Sequence, residues 1–474
     1  MVTLPVELWE RITQLSGRKD LLILSLVSPT LRDAARRALA ESITFHGSRE
    51  SLDYLDVLKF LRDQNLVTCV KRFECKLRIP GAVIPFEDMI NLQSLSFTAY
   101  TLFFGKVEDQ KNFVDAIRRC CIQLVELEFE YHGPILDEYF AIPNLQKIIW
   151  NEHGVISAGF LSLCRASAST LTELDLTVWS NHDVGASRYV ALSMLHFPNL
   201  RVLVFGTGGQ HMPDLRPGDD HTAHDGYMAF LYAHKTIEHL TLTHRYLVGN
   251  EKEIYMPFNP NTVPKDIFPN LKYLSAHPMQ ILQFLESGAY LFMQNSPLAT
   301  LCIARGLYDH LAGDWIFVRE ALCEYASRHG PVCIRRLIFN WGNSRSLHQR
   351  DFESCMRHAA RALPDLDTWE GDVPQLHSGL QVFRQFKKLC KLRVRGVHIE
   401  ESSENYFYLP SDVDADEEVH IEEPAAVWGL AQDYCHLLKE VHYGAGDDGY
   451  EIKRVGDQVV ELLPIGRCLE YSHD

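Results

Sequence analysis

The residues best suited to chemistry lie in one polar stretch, residues 206–225, which follows a predicted strand. Histidine nitrogens and carboxylate oxygens are common metal ligands, and the stretch offers both kinds of donor. Its candidate ligands are Asp214, Asp219, Asp220, His221, His224 and Asp225. A metal held by His221, His224 and Asp225 is one interpretation, and a solvated loop at the rim of the fold is the other. We favour the loop, because these residues match no known metal motif, and we predict neither a metal nor a cofactor.

The rest of the sequence carries no signature of catalysis. It lacks a phosphate-binding Walker loop, the nucleophile elbow of hydrolases and the zinc-protease motif. The segment Gly206-Thr207-Gly208-Gly209 lacks the third glycine of a dinucleotide fingerprint. Cysteine and histidine spacings typical of zinc domains are also missing from the sequence, so we expect no RING domain. The sequence therefore predicts a binding protein without catalytic residues and not an enzyme.

Composition limits the classes of protein further. With 474 residues and 46% hydrophobic residues, the chain is long and apolar enough for several domains or one extended array. A net charge of −16 argues against binding to nucleic acid or to anionic membranes. The sequence shows neither a signal peptide nor a transmembrane run, which predicts a cytoplasmic or nuclear protein. Its twelve cysteines are scattered, and we expect reduced thiols.

An apolar pattern recurs from residue 70 onward, with apolar residues at its first, fourth and sixth positions. Successive copies lie about 31 residues apart on average, and a Pro-Asn-Leu turn opens three of them, at Pro143, Pro198 and Pro269. The copies begin at Val70, Leu92, Leu124, Leu145, Leu171, Leu200, Ile237, Leu271, Leu298, Ile334, Leu389 and Leu438, with a weaker copy at Leu366. A recurring turn at a fixed phase indicates a repeat.

Stretches with helical periodicity separate these copies. They cover residues 109–120, 155–167, 186–196, 226–234, 280–293, 315–328, 351–362 and 425–438. A strand followed by a helix, repeated with right-handed crossovers, gives a parallel sheet with helices on one side. The alternative is a non-repetitive α/β enzyme whose strands match the pattern by coincidence.

The pattern resembles the irregular, ribonuclease-inhibitor-like leucine-rich repeats. The resemblance implies an α/β solenoid over residues 67–474, with the parallel sheet on its concave side and helices on its convex side. We expect about 12–13 irregular repeats, loop insertions at residues 206–225 and 400–423, and a C-terminal cap over 450–474. Within this cap, Gly456-Asp457 suits the turn of a β-hairpin.

The first forty residues carry more apolar side chains than three short helices can bury by themselves. Pro5 suits the first turn of a helix that ends near Leu15. Asp20 suits the cap of a second helix, and Ser28-Pro29 would open a third that ends near Leu39. Such a segment needs either a partner or a large domain against which to pack.

This segment resembles an F-box, the module that docks proteins onto the Skp-family adaptor of cullin-RING ubiquitin ligases. The matching residues are Leu4-Pro5, Glu7-Leu8, Ile12, Leu15, Asp20-Leu21-Leu22, Leu24, Leu26-Val27-Ser28 and Arg32. The family usually has a tryptophan where this chain has Leu31. The resemblance implies a small all-α three-helix domain over residues 1–45, which a linker helix over residues 46–66 joins to the repeats.

The F-box resemblance implies a substrate-recognition subunit of an Skp/cullin/F-box ubiquitin ligase, with a protein target on the repeats. The residues implied in adaptor binding are Leu4, Pro5, Leu8, Trp9, Ile12, Leu22, Leu26, Val27 and Leu31. One alternative is a stand-alone repeat scaffold whose N-terminal helices are only a cap. Such a cap would bury Leu8, Ile12, Leu22 and Val27. Another is an F-box protein that uses the adaptor outside a ligase.

Charged residues on the predicted concave face are the candidates for target binding. They alternate with the buried strand residues and so face away from the helices. Acidic members come early and basic members late in the chain: Glu126, Glu128, Glu130, Glu173 and Asp175, then Lys391, Arg393 and Arg395. We expect a target with a basic patch, and the alternative is a solvated sheet face. The insertion at 400–423 holds ten acidic residues, which favours a disordered loop or a lure for a basic partner.

Overall fold

A computed structural model gives the fold. The structure describes residues 8, 11–13, 16–27, 29–46, 53–77, 84, 86–100, 107–132, 139–153, 156–179, 191–208, 222–244, 260–304, 313–340, 349–374, 381–398, 424–443 and 448–465. The chain forms two compact units, Met1–His234 and Lys235–Asp474, and each is described by itself.

The described part of the first unit begins with helical residues at 8 and 11–13, followed by two further helices and a parallel sheet. Helix α1 covers Arg18–Val27 and helix α2 covers Pro29–Ala40. Seven strands follow: β1 Ser42–His46, β2 Arg72–Leu77, β3 Ser94–Tyr100, β4 Glu126–His132, β5 Lys147–His153, β6 Glu173–Trp179 and β7 Val202–Gly208. Each strand pairs in parallel with the next along the chain. The connections carry α3 Asp53–Asp63, α4 Val107–Cys120, α5 Ala158–Ala166 and the closing helix α6 Thr222–Ala233.

The second unit repeats this arrangement and ends in a hairpin. Its strands are β8 His239–His244, β9 Tyr273–Ala276, β10 Thr300–Ala304, β11 Arg336–Asn340, β12 Thr368–Pro374, β13 Lys391–His398, β14 Glu440–Tyr443, β15 Asp448–Val455 and β16 Gln458–Ile465. Pairing is parallel from β8 to β14 and antiparallel from β14 to β16. The helices are α7 Pro278–Glu286, α8 Gly313–His329, α9 Gln349–Ala362 and α10 Pro424–Gly429.

One backbone carbonyl before each strand joins neighbouring repeats. The carbonyl of Lys71 accepts hydrogen bonds from the amides of Gln93 and Ser94, at 2.8 and 3.0 Å. The same pair of bonds recurs at the carbonyls of Glu41, Gln93, Val125, Gln146, Thr172, Glu238, Lys272, Ala299, Arg335, Asp367 and Cys390. Identical bonds at these steps mean that the strands within each unit are stacked in one register, as a repeat requires.

The apolar triplets of the sequence form the core. Every residue of the twelve complete copies is buried except Tyr443, which is half-buried. Aromatic members stack from strand to strand, and the rings of Phe129 and Trp150 lie 4.8 Å apart. Helices cover this side of the sheet, since the ring of Phe160 on α5 lies 5.4 Å from Trp150. The predicted α/β repeat fold, with a parallel sheet on one side and helices on the other, is confirmed for both units.

The Pro-Asn-Leu turns also connect repeats through their side chains. Asn199 Nδ2 donates to the carbonyl of Ser169 at 2.8 Å, and Asn270 Nδ2 donates to that of Lys235 at 3.0 Å. Asn144 instead has a φ of 65°, a left-handed conformation that asparagine tolerates better than most residues. In two of the three turns the asparagine thus satisfies a carbonyl of the preceding repeat, and in the third it adopts the left-handed conformation.

Four boundaries differ from the sequence-based expectation. The sheet begins at β1, since Ala40, Ile43 and Phe45 form an earlier copy of the triplet. Helix α1 starts at Arg18, before the predicted cap Asp20, and the amide of Leu21 bonds to Gly17. Helix α6 starts at Thr222, so the expected loop 206–225 is shorter at both ends.

Strands β15 and β16 join at the predicted turn Gly456-Asp457, and the insertion 400–423 lies outside the described residues.

A buried histidine closes the last repeat of the first unit. His234 is 1% exposed; its Nδ1 lies 2.6 Å from the carbonyl of Phe230, and its Nε2 accepts from the amide of Phe197 at 3.0 Å. This pattern requires the neutral ring, because only a deprotonated Nε2 can accept a hydrogen bond. Burial lowers the pKa of His234, and the adjacent imidazole of His196 lowers it further.

Acid should therefore destabilise the first unit through His234. In the unfolded chain its pKa is near the ordinary 6.5, and in the folded chain the pKa is lower, so the unfolded state binds more protons. We expect the free energy of unfolding to fall as pH drops below about 6.5, and to fall less in His234→Gln, which keeps a donor and an acceptor. Chemical unfolding of both proteins across this range measures the difference. Parallel curves would contradict the role of His234.

Candidate functional site

Exposed apolar side chains are concentrated at the N-terminus. We call this surface the N-terminal apolar face, and its members are Leu8, Ile12, Leu22, Ile23, Leu26 and Val27. Leu26 on α1 is 80% exposed and Val27 is 64% exposed. Four of these residues adjoin one another at helical spacing on α1, and an exposed apolar cluster of this kind on a folded chain usually marks a binding site for another protein.

The sequence of α1 explains the exposure. Leu21 packs inward against α2, whereas Leu22, Ile23, Leu26 and Val27 follow at helical spacing on the opposite side. Burying one such side chain completely stabilises a protein by about 1.5–3 kcal/mol. Four such side chains in water on one short helix therefore leave several kcal/mol of burial free energy unused, and a partner that covers them would gain this free energy on binding.

The structure places the residues implied in adaptor binding in three groups. Leu8, Ile12, Leu22, Leu26 and Val27 are exposed together on the N-terminal apolar face. Leu4, Pro5 and Trp9 lie outside the described residues. The expectation that Leu31 lies on the exposed surface is corrected, because its side chain is 6% exposed and packs in the interior. Sequence reasoning missed Ile23, although the nearly unbroken apolar run of α1 was the signal that could have indicated it.

The interpretation of these helices as only a cap does not fit. A cap would bury Leu8, Ile12, Leu22 and Val27, and all four are exposed. Helix α2 nevertheless packs like the helix of a first repeat, since it contacts β1 and the short helical turn Val67–Cys69. Its buried residues are Leu31, Ala34, Ala35 and Ala40. Helix α2 therefore covers the end of the sheet, whereas α1 exposes apolar residues to solvent.

The second candidate surface is the side of the first unit's sheet that faces away from the helices, here called the open face. The strand register places Glu74, Glu128 and Asp175 in one row across β2, β4 and β6. Glu128 is exposed, whereas Glu126 in the adjacent row is half-buried. In the adjacent row, which contains Glu126, an ion pair joins Lys147 to Glu173 at 3.2 Å. The early acidic residues predicted for target binding do therefore share a face.

On the open face of the second unit, two cations are paired with carboxylates of neighbouring strands. Arg336 contacts the buried carboxylate of Glu370 at 2.5 Å, and Lys391 contacts Glu440 at 2.6 Å. Hydrogen bonds from Lys391 and His442 hold the pKa of Glu440 below its usual range. Arg393 is half-buried in the same sheet, and the side chain of Arg395 lies outside the described residues. Sequence reasoning missed these carboxylates, because only the register brings them beside the cations.

The residues first considered for chemistry do not form a site within the described part of the chain. His224 and Asp225 lie in the first turn of α6, and the other candidate ligands of the loop, including His221, lie outside the description. Among described residues no group of three or more His, Cys, Asp or Glu side chains is arranged to hold a metal ion. Burial raises the pKa of the Cys75 and Cys435 thiols to about 12, which keeps them protonated and unreactive.

No described helix combines the length and the apolar character that a membrane crossing requires. Comparison with protein families finds no match, and comparison with characterised protein sequences finds none either. Solved structures that match include a complex of Rad7 and Elc1 in yeast, 16% identical over 84% of this chain and 94% of that chain, with a TM-score of 0.37. They also include the internalin InlF of Listeria monocytogenes, 10% identical over 71% and 83%, with a TM-score of 0.32.

Both TM-scores are below 0.5, so the class of the fold rests on the register and core of this chain alone. Parallel strands in one register, buried triplets at fixed positions and a helical or turn connection after most strands define repeats of the leucine-rich type. Each unit is an array of such repeats.

The different roles of α1 and α2 can be tested by truncating one residue of each. Leu31→Ala removes a buried side chain and should lower the free energy of unfolding by about 2–4 kcal/mol. Leu26→Ala, on the exposed face of α1, should change it by no more than about 0.5 kcal/mol. Urea unfolding of the full chain measures both values. Similar losses in the two variants would show that α1 is packed and not exposed.

Proposed function

We propose that this chain is the substrate-recognition subunit of an Skp/cullin/F-box ubiquitin ligase. The observation that carries the proposal is the N-terminal apolar face, which stands on the segment whose sequence resembles an F-box. An Skp-type adaptor would cover this face and connect the chain to a cullin. The repeats would hold a protein target, and the protein would work in the cytoplasm or nucleus.

The chain would contribute proximity and no catalytic residue of its own. A receptor that holds a target beside a charged conjugating enzyme raises the effective concentration of the target lysine. Binding at the N-terminal apolar face would be carried by a few central side chains that lose all contact with water. Leu22, Ile23 and Leu26 are the candidates for this role, because they share the exposed side of α1.

The junction between α2 and β1 supports separate roles for the N-terminal helices and the repeats, with the adaptor on the former and the target on the latter. One residue, Glu41, separates the end of α2 from the first strand, and its carbonyl accepts the amides of Lys71 and Arg72 at 2.9 and 2.8 Å. An ion pair of 2.9 Å between Glu41 and Lys71 adds to this junction. A partner bound to the N-terminal helices would therefore stand in a fixed position relative to the sheet of the first unit.

A stand-alone repeat scaffold is the second candidate, and the packing of α2 is the observation that favours it. Helix α2 covers the first strand as a cap would, with Leu31 and Ala35 buried. A scaffold gives no reason for the exposed residues of α1, which contribute nothing to such a cap. The ligase subunit accounts for both helices.

Docking of the adaptor should depend on Leu26. Leu26→Asp places a charge in the centre of the apolar contact, where it would be buried without a partner, and should weaken binding of a purified Skp-type adaptor at least about 100-fold. Isothermal titration calorimetry on the full-length chain measures the loss.

Ile122→Asp is the matched control, because Ile122 is 77% exposed and lies outside the N-terminal segment. This variant should bind the adaptor as the unchanged chain does. Equal affinity of Leu26→Asp and the unchanged chain would refute docking through α1, and absence of any binding by the unchanged chain would favour the scaffold.

Target capture should depend on the acidic row of the first unit if the target offers a basic patch. Reversal of Glu128 and Asp175 to Lys replaces attraction by repulsion, so we expect loss of most captured proteins with adaptor binding retained. Affinity purification from cells under proteasome block, followed by mass spectrometry, measures both. A control that reverses Glu108 and Asp115 of α4 makes the same charge change on the helical side. If the variant with Glu128 and Asp175 reversed captured the same proteins as the unchanged chain, the proposal of a target with a basic patch would be refuted.

A further inference from the structure

The N-terminal apolar face has a border of positive charge. Residues 1–40 contain six Lys and Arg residues against four Asp and Glu residues, in a chain with a net charge of −16. The cations of the segment are all exposed: Arg11, Arg18, Lys19, Arg32, Arg36 and Arg37. Its described carboxylates are Asp20 and Asp33. The segment that would bind the partner is therefore opposite in charge to the chain as a whole.

Cations stand at both ends of the apolar residues of α1. Arg18 and Lys19 each stand about one turn before Leu22, and Asp20 stands one turn before Ile23, so two cations and one carboxylate border the exposed side of α1 at its start. At the other end, Arg32 of α2 reaches across and donates from Nε to the carbonyl of Ser25 at 3.1 Å.

Helix α2 adds a second line of positive charge beside α1. Arg32 and Arg36 are one turn apart and exposed, whereas Leu31 and Ala35 on the other side of α2 are buried. The two helices pack directly on each other. An occupant of the N-terminal apolar face would thus meet cations along the neighbouring helix as well as at the ends of α1.

We infer that the partner is an acidic protein that presents an apolar groove bordered by carboxylates, and that charge attraction steers it onto the N-terminal apolar face. The inference rests on the proposed function, because it describes the adaptor surface that this face would meet. On α1 the apolar residues occupy the middle of the exposed side and the charged residues stand at its end, which favours a protein groove over a phosphate backbone, since a phosphate backbone would require cations in the centre.

The border should act on the rate of association more than on affinity. An exposed ion pair contributes about 0–1 kcal/mol, so the charges hold the complex together only weakly. Complementary charges nevertheless accelerate encounter of two proteins, and salt removes this acceleration. The screening length falls from about 14 Å at about 0.05 M salt to about 4 Å at about 0.5 M, so high salt should remove most of this acceleration.

The test compares a double variant, Lys19→Glu with Arg36→Glu, with the unchanged chain. Both are full-length proteins, and each is mixed with a purified Skp-type adaptor. We expect the association rate constant of the variant to be lower by about tenfold at low salt and nearly equal at high salt, with a similar dissociation rate. Stopped-flow fluorescence or surface plasmon resonance measures both constants. The control reverses Lys265 and Lys387, which are exposed cations of the second unit, and should associate normally.

The outcomes separate this inference from the proposed function. Association that is independent of salt and equal in variant and unchanged chain would overturn the acidic border and leave apolar docking standing. Failure of the unchanged chain to bind the adaptor at any salt concentration would overturn the proposed function itself. Thermal melting measures the stability of both variants. A melting temperature equal to that of the unchanged chain would show that slower association is not caused by unfolding.

Discussion

Stacking of one strand on the next in a single register is the constraint on which the rest of the structure depends. A lone repeat cannot bury its triplet, because the side chains at its first, fourth and sixth positions are covered only by the neighbouring strands and their helices. Before most strands one carbonyl, such as that of Lys71, accepts two hydrogen bonds from the next repeat and so holds this register at the backbone. Any surface that the protein uses for binding is therefore fixed by the number and order of its repeats.

The stacking also explains the difference between the two helices at the N-terminus. An array needs its first strand covered, and α2 meets this need by burying Leu31 and Ala35 beside β1. Helix α1 packs on α2, and its apolar residues Leu22, Ile23, Leu26 and Val27 remain in water. Exposure at Leu26 and Val27 makes no contribution to the stability of the array, which is why it indicates a partner.

Much of the repeat core could be predicted from sequence, because the triplet and the turn at Asn199 and Asn270 recur with a fixed phase. The copy at β1 was missed since its first residue, Ala40, is small and its strand follows the F-box-like segment directly. Pairing of Arg336 with Glu370 could not be predicted, because it depends on the register between two strands that lie 34 residues apart. The burial of Leu31 was hidden for the same reason, since a resemblance to a motif gives residue types and not the surface that each side chain meets.

Docking through the N-terminal apolar face can be tested by hydrogen–deuterium exchange of the full-length chain, with and without a saturating Skp-type adaptor. We expect slower exchange in the segment that contains α1 and α2, with the strands from β2 to β16 unchanged. Slower exchange confined to the repeat strands would place the adaptor elsewhere, and no change anywhere in the chain would contradict docking through the N-terminal apolar face.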